Sequence, residues 1–138
     1  MKKLTALLLL VTLFSCRAAW VPAYNDEIIT QINSTAKAID KLYFEASEAE
    51  GPQRAYALYK DRYINLQVEL NDLYRKEQAR DKSNELVTIT ANIIEQFTKY
   101  KDRHKTEDIN IKTAVLELQR VYLSDHFNTL LKAEKSLK

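Results

Sequence analysis

The sequence predicts an all-α protein: an antiparallel, up-down bundle of four helices that follows an N-terminal signal segment. The chain of 138 residues contains a single glycine and two prolines, so little in its composition interrupts helices. From residue 25 onward, apolar residues recur at alternating spacings of four and three, which is typical of helices with one buried face. Short connections between helices of this length favour antiparallel neighbours.

The first helix is predicted to begin at Asn25 and to end at Glu50-Gly51-Pro52. Asn25 can cap the helix, and Asp26 and Glu27 suit its positive end. Glycine suits a C-terminal turn, and proline suits the first turn of the next helix. The predicted buried face contains Ile28, Ile32, Thr35, Ile39, Leu42 and Ala46.

The second helix is predicted to run from Pro52 to about Arg80, and the third from Ser83, as its cap, to about His104. One unbroken helix through this region is the alternative, but it would exceed the usual length in globular proteins. The buried face of the second helix is predicted to contain Tyr56, Tyr59, Tyr63, Leu66, Leu70 and Leu73. That of the third is predicted to contain Leu86, Ile89, Ile93, Phe97 and Tyr100.

The fourth helix is predicted to start at Thr106, where Glu107 and Asp108 follow a capping side chain. Its apolar face is broad, which predicts packing against more than one neighbour. A two-helix hairpin that forms a homodimer through the same faces is the alternative, because coiled coils use the same spacing. The apolar face contains Ile111, Val115, Leu116, Leu118, Tyr122, Leu123, Phe127 and Leu130.

The N-terminal segment has the parts of a secretory signal. Lys2 and Lys3 precede a largely apolar run over residues 4–14, which closes on Ser15 and Cys16. A membrane-spanning helix needs roughly 20 apolar residues, so the run is too short to serve as one. The segment therefore predicts export.

Leu13-Phe14-Ser15-Cys16 resembles the lipobox of bacterial lipoproteins, although the position of Phe14 usually holds a smaller residue. The resemblance implies cleavage before Cys16 and diacylation of its sulfur. It divides the chain into a signal peptide (1–15), a lipidated tether (16–24) and a helical domain (25–138). Arg17 stands where aspartate would favour retention in the inner membrane, so the resemblance implies the periplasm-facing leaflet of the outer membrane.

A plain secretory signal with an incidental thiol is the alternative. Against it, Cys16 is the only cysteine, and no partner exists in the chain for an intramolecular disulfide. Cleavage would leave 123 of the 138 residues, enough for one domain. It would also remove Lys2 and Lys3, so the 21 basic residues would become 19, equal to the 19 acidic ones. A neutral domain gives no electrostatic argument for binding nucleic acid.

Catalytic and metal-binding patterns are missing from the sequence. Neither His104 nor His126 follows a glutamate by three residues, as the Glu-x-x-His motif of di-iron bundles requires. Gly51 alone cannot form a phosphate-binding loop, and Asp125 points about 100° away from His126 on a helix. We therefore expect a protein that is not an enzyme and holds no metal or cofactor.

Two surface features are candidates for function. Tyr56, Tyr59 and Tyr63 share one face of the second helix, either packed at the wet end of the bundle with their hydroxyls outward or forming a face for a partner or ligand. The basic cluster, residues 99–105, either complements the helix dipole or contacts anionic lipid.

Three functions fit these observations. The first is a membrane-anchored interaction or structural module that binds another envelope protein. The second is a periplasmic carrier or sensor that holds an apolar ligand between its helices. The third is a lipoprotein that blocks a receptor or secretion channel.

Overall fold

The computed structural model describes residues 22–80 and 83–138, which contain four α-helices and no β-strand. The first and third helices start within one residue of the predicted positions. Because the four helices enclose one core within a single chain, the bundle is confirmed over the two-helix hairpin. The helices are α1 (Asp26–Glu48), α2 (Tyr56–Ala79), α3 (Asn84–Glu107) and α4 (Thr113–Lys135), with 3-10 turns at Gly51–Arg54 and Asp108–Asn110.

Each helix packs against its neighbour in sequence, and α4 closes the bundle against α1. The helices are antiparallel. The Asn25 amide donates to Glu134 at 3.2 Å, whereas Thr113 lies beside the Ser47 carbonyl at 3.5 Å. We call the end where residues 22–25 enter the proximal end, and the end with the two 3-10 turns the distal end.

The predicted face of α1 is confirmed residue by residue. Asn25 caps the helix, since its side-chain oxygen accepts from the amides of Glu27 and Ile28. All six predicted positions are buried, as are Tyr43 and Ser47. The regular spacing therefore determines which side of α1 faces the core.

Two predicted helix starts are wrong. Pro52 opens a 3-10 turn, and α2 begins later, at Tyr56, whose amide donates to the Asp108 carboxylate at 2.7 Å. Thr106 lies inside α3, where its hydroxyl donates to the Asp102 carbonyl one turn earlier at 2.9 Å. Asp108, which was predicted to lie at the start of α4, therefore supports the start of α2 instead.

The predicted break between the second and third helices is confirmed, because α2 ends at Ala79 and α3 begins at Asn84. Ser83 does not cap α3 with its side chain; its hydroxyl donates back to the Glu77 carbonyl instead. Asp81 and Lys82 lie outside the described residues.

The broad apolar face of α4 divides into two parts. One part packs into the core against α1 and α3, as predicted, and contains Leu116, Leu123, Phe127 and Leu130. The other part, including Leu118 and Tyr122, is exposed to solvent.

Candidate functional site

Tyr56, Tyr59 and Tyr63 converge on His104 at the distal end. Tyr63 and His104 are fully buried, Tyr59 is 8% exposed and Tyr56 is partly buried. The rings of Tyr56 and Tyr63 stack at 5.6 Å, and each of the three tyrosine rings lies within 5.8 Å of the imidazole. The shared face of α2 is thus a core face, which favours the packed alternative over a face for a partner at Tyr59 and Tyr63.

The imidazole of His104 is held by hydrogen bonds on both nitrogens. Its Nε2 lies 2.8 Å from the Arg54 carbonyl, and its Nδ1 lies 2.9 Å from the Tyr63 hydroxyl. A carbonyl only accepts, so Nε2 carries the hydrogen and Nδ1 accepts from Tyr63. Burial lowers the pKa of His104, which keeps the ring neutral, and burial also raises the pKa of Tyr63. The prediction that the tyrosine hydroxyls point outward is wrong for Tyr63.

The side chain of Arg54 forms hydrogen bonds with the end of α1 and with the start of α4, next to this cluster. Its guanidinium donates to the Ile111 carbonyl at 2.9 Å and to the Thr113 hydroxyl at 2.8 Å. It also donates to the carbonyls of Ser47 and Ala49, at the end of α1. These carbonyls have no partner within the helix ladder, so Arg54 supplies the missing donors and closes the distal end.

The cluster is packed rather than open. Tyr43 and Phe97 are also fully buried, and their rings lie 6.2 and 5.7 Å from that of Tyr63. The Tyr43 hydroxyl makes no hydrogen bond of normal geometry, although Tyr63 lies close enough to add to the effect of burial in raising the pKa of Tyr43. The aromatic rings fill the space that an apolar ligand would need, so this region is a structural core.

The basic cluster, residues 99–105, differs from its prediction at His104, which is buried rather than exposed. Lys99, Arg103 and Lys105 are exposed, and Arg103 pairs with Glu107 at 2.7 Å. The cluster lies at the distal end of α3, a helix of 24 residues. At 1.5 Å per residue that helix is about 36 Å long, which separates the cluster from residues 22–25.

A second buried polar cluster, which the sequence analysis missed, lies at the proximal end. Glu77 and Glu134 are fully buried, and Arg80 donates to the first at 3.1 Å and to the second at 2.7 Å. Arg80 also donates to the Ala23 carbonyl. Burial raises the pKa of Glu77 to about 7, with Arg80 opposing the rise and Glu134 adding to it.

An exposed apolar row lies on the outer face of α4. It consists of Leu118, Val121 and Tyr122, which are 54%, 52% and 49% exposed. Residues three and four apart are neighbours on a helix, so these side chains are contiguous. Single exposed apolar residues are common, but a contiguous group favours an interaction surface.

Two surface grooves are further candidates. One, of 490 Å³, lies between α1 and α2 and is lined by Ala38, Lys41, Glu45, Arg62, Asn65 and Leu66. The other, of 260 Å³, lies between α3 and α4 and includes Asp125 and His126. His126 Nδ1 donates to the Tyr122 carbonyl at 2.7 Å, so the two adjacent side chains do not act as a pair through that nitrogen. Charged residues line the larger groove, which does not favour an apolar ligand.

Comparisons with protein families, curated proteins and solved structures found no match. Within residues 22–80 and 83–138, no helix is long and apolar enough to cross a membrane. In the same ranges, no three histidine, cysteine, aspartate or glutamate side chains are grouped to hold a metal ion. Cys16 and the lipobox lie outside the described residues.

Proposed function

We propose that the protein is an envelope lipoprotein, anchored through Cys16, whose helical bundle binds another envelope protein without catalysing a reaction. The observation that carries this proposal is the tetrapeptide Leu13-Phe14-Ser15-Cys16 at the end of a basic and then apolar leader. The thiol is the only one in the chain. The proposed location is the periplasm-facing leaflet of the outer membrane.

Acyl chains on Cys16 would supply the membrane attachment. Each buried CH₂ contributes about 0.8 kcal/mol, so two or three chains anchor a protein durably. Confinement to a membrane surface raises the effective concentration of a partner on the same surface. A modest interface on the bundle then suffices for binding.

The geometry of the bundle supports a partner surface away from the lipid. Residues 22–25 enter at the proximal end, so an anchor on Cys16 would hold that end toward the membrane. Leu118 lies near the start of α4, in the distal half, together with the rest of the exposed apolar row. The basic cluster also lies distally, which favours its role at the helix end over contact with that membrane.

The anchor is tested by substituting Cys16→Ala and separating membrane from soluble fractions. We expect the variant in the soluble fraction, since no thiol remains to be acylated. Arg17→Ala is the matched control, because it alters the adjacent residue and keeps the lipobox, and it should stay with the membrane. A Cys16→Ala protein that remained in the membrane fraction would contradict the anchor.

The partner surface is tested by placing a photo-crosslinking amino acid at Leu118 in intact cells and identifying the adducts by mass spectrometry. The same probe at Asn128, a polar and exposed position on α4, is the control. We expect a defined protein adduct from position 118 and none from position 128. Equal adduct patterns at the two positions, or none at either, would refute α4 as the partner surface.

A further inference from the structure

The proximal cluster of Glu77, Arg80 and Glu134 buries more negative than positive charge. Both carboxylates are fully buried, whereas one guanidinium serves the two of them. Glu77 Oε2 accepts from Arg80, but Glu77 Oε1 is buried without a hydrogen-bond partner. Burying an ionised carboxylate without full compensation is costly, so a proton on Glu77 relieves the arrangement.

The same cluster holds the start of the described chain. Arg80 donates to the carbonyl of Ala23, and Glu134 Oε1 accepts from the amide of Asn25 at 3.2 Å. Both contacts join residues more than 50 positions apart in the sequence. The groups that neutralise one another inside the bundle are therefore the groups that fix residues 22–25 to it.

Several other charged and titratable groups near this end make contacts of their own. On the α1 side, the Tyr24 hydroxyl donates to Asp26 at 2.7 Å, and the Lys138 ammonium from the end of α4 lies 5.3 Å from the Tyr24 ring centre. On α2, Lys76 pairs with Glu27 at 3.2 Å on the outer surface.

The described contact between Glu77 and the start of α3 is a neutral hydrogen bond. The Ser83 hydroxyl donates to the backbone carbonyl of Glu77, rather than to its carboxylate. Among the described residues, Arg80 is the cation that forms an ion pair with Glu77.

We propose that Glu77, Arg80 and Glu134 form a proton-operated latch, which holds residues 22–25 on the bundle when Glu77 is protonated and loosens them when Glu77 is ionised. An ionised Glu77 competes with Glu134 for the guanidinium of Arg80 and repels Glu134. Both effects weaken the contact of Arg80 with Ala23 and the contact of Glu134 with Asn25. The latch stands on these contacts and does not rest on the proposed function.

The pH window follows from the Glu77 carboxyl. Its pKa is about 7 in the closed form, and exposure to water would lower it toward the ordinary value of 4.5. The closed form therefore binds more protons than the open form between these values, and it is favoured by mild acid. Linkage between these two values gives an increase in the opening equilibrium on the order of 50-fold from pH 5 to pH 8.

The test is amide hydrogen exchange on the full-length chain in detergent, followed by mass spectrometry across pH 5 to 8 and corrected for intrinsic exchange rates. We expect the segment 22–28 to open tens of times more at pH 8 than at pH 5, while the middle of α1 around Ile39 changes little. Glu77→Gln should abolish the dependence on pH. Glu69→Gln, which replaces an exposed glutamate on the same helix, should behave as the wild type.

Three results would overturn the latch. These are a wild-type segment 22–28 whose opening does not change with pH, a Glu77→Gln variant that keeps the change, and opening of the whole bundle in step with the segment. If Glu77→Gln does not fold, a carbon-13 titration of wild-type Glu77 decides instead. The NMR signal of the Asn25 amide should then change with pH at the same midpoint as the Glu77 carboxyl. A different midpoint would refute the coupling.

Failure of the latch and failure of the anchor are distinguishable. Cys16→Ala should keep the pH dependence of segment 22–28 in full, because Cys16 takes no part in the cluster. A latch that persists in a Cys16→Ala protein still bound to the membrane would refute the anchor alone.

Discussion

Removing the hydroxyl of Tyr63 tests the buried hydrogen bonds at the distal end. In Tyr63→Phe the ring packing stays, but His104 Nδ1, 2.9 Å from that hydroxyl, loses its donor at a fully buried position. An unsatisfied buried acceptor costs about 1–3 kcal/mol. For a bundle of this size, a loss of 2 kcal/mol lowers Tm by roughly 6–12 °C.

The assay is urea unfolding followed by circular dichroism, with the free energy of unfolding compared between variants. Tyr122→Phe is the matched control, because Tyr122 is 49% exposed and its hydroxyl can bond to water. Combining Tyr63→Phe with His104→Leu removes both partners, so the double variant should lose less than the sum of the single losses. A Tyr63→Phe loss no larger than that of Tyr122→Phe would refute the reasoning.

Three further predictions concern stability. The pKa of Glu77 is about 7 when folded and 4.5 when unfolded. The contribution of its carboxyl to the free energy of unfolding is therefore fully present below pH 4.5 and is lost as pH rises through 7. Glu77→Gln should therefore raise the free energy of unfolding at pH 8 by as much as about 3 kcal/mol in urea titrations, and a loss of stability there would contradict this. Gly51→Ala should lower the free energy of unfolding by about 1 kcal/mol in the same assay, and Gly51→Asn should lower it less. The reason is backbone strain, because φ is +52° and no atom lies within 4 Å of an added Cβ. Equal losses in the two variants would contradict this reason. Leu70→Ala, at a fully buried site, should cost about 2–5 kcal/mol, whereas Leu58→Ala, at a site 66% exposed, should cost less than about 0.5 kcal/mol; similar losses would refute the described core.

Most of the helical packing could be predicted from the sequence because spacing determines which residues share a face. The six positions of α1 are the clearest case, and Leu66, Leu70 and Leu73 of α2 follow the same rule. The broad face of α4 was less informative. Periodicity showed that it was apolar, but only the positions of α1 and α3 decide that Leu123 is covered and Leu118 is not.

Helix boundaries were harder to predict because the same residue types can either cap a helix or form other hydrogen bonds. Thr106 satisfies its hydroxyl within α3, so the helix continues through it. Asp108 adopts φ +50° and places its carboxylate on the Tyr56 amide, a contact 52 positions away in sequence. No local pattern contains that partner.

The buried polar groups could have been found from their phase on the helices. His104 follows Phe97 by seven residues, which places it on the core face despite its basic neighbours. Glu77 and Glu134 each come four residues after a buried leucine, Leu73 and Leu130. A charged residue in phase with an apolar face predicts a buried charge, but the partner that compensates it depends on the tertiary fold.

We propose that acylated Cys16 anchors the bundle to the envelope. Mass spectrometry of the protein purified from membranes tests this most directly. We predict a mature chain that begins at Cys16 and carries two or three acyl chains. A chain that retains residues 1–15, or one with an unmodified Cys16 thiol, would contradict it.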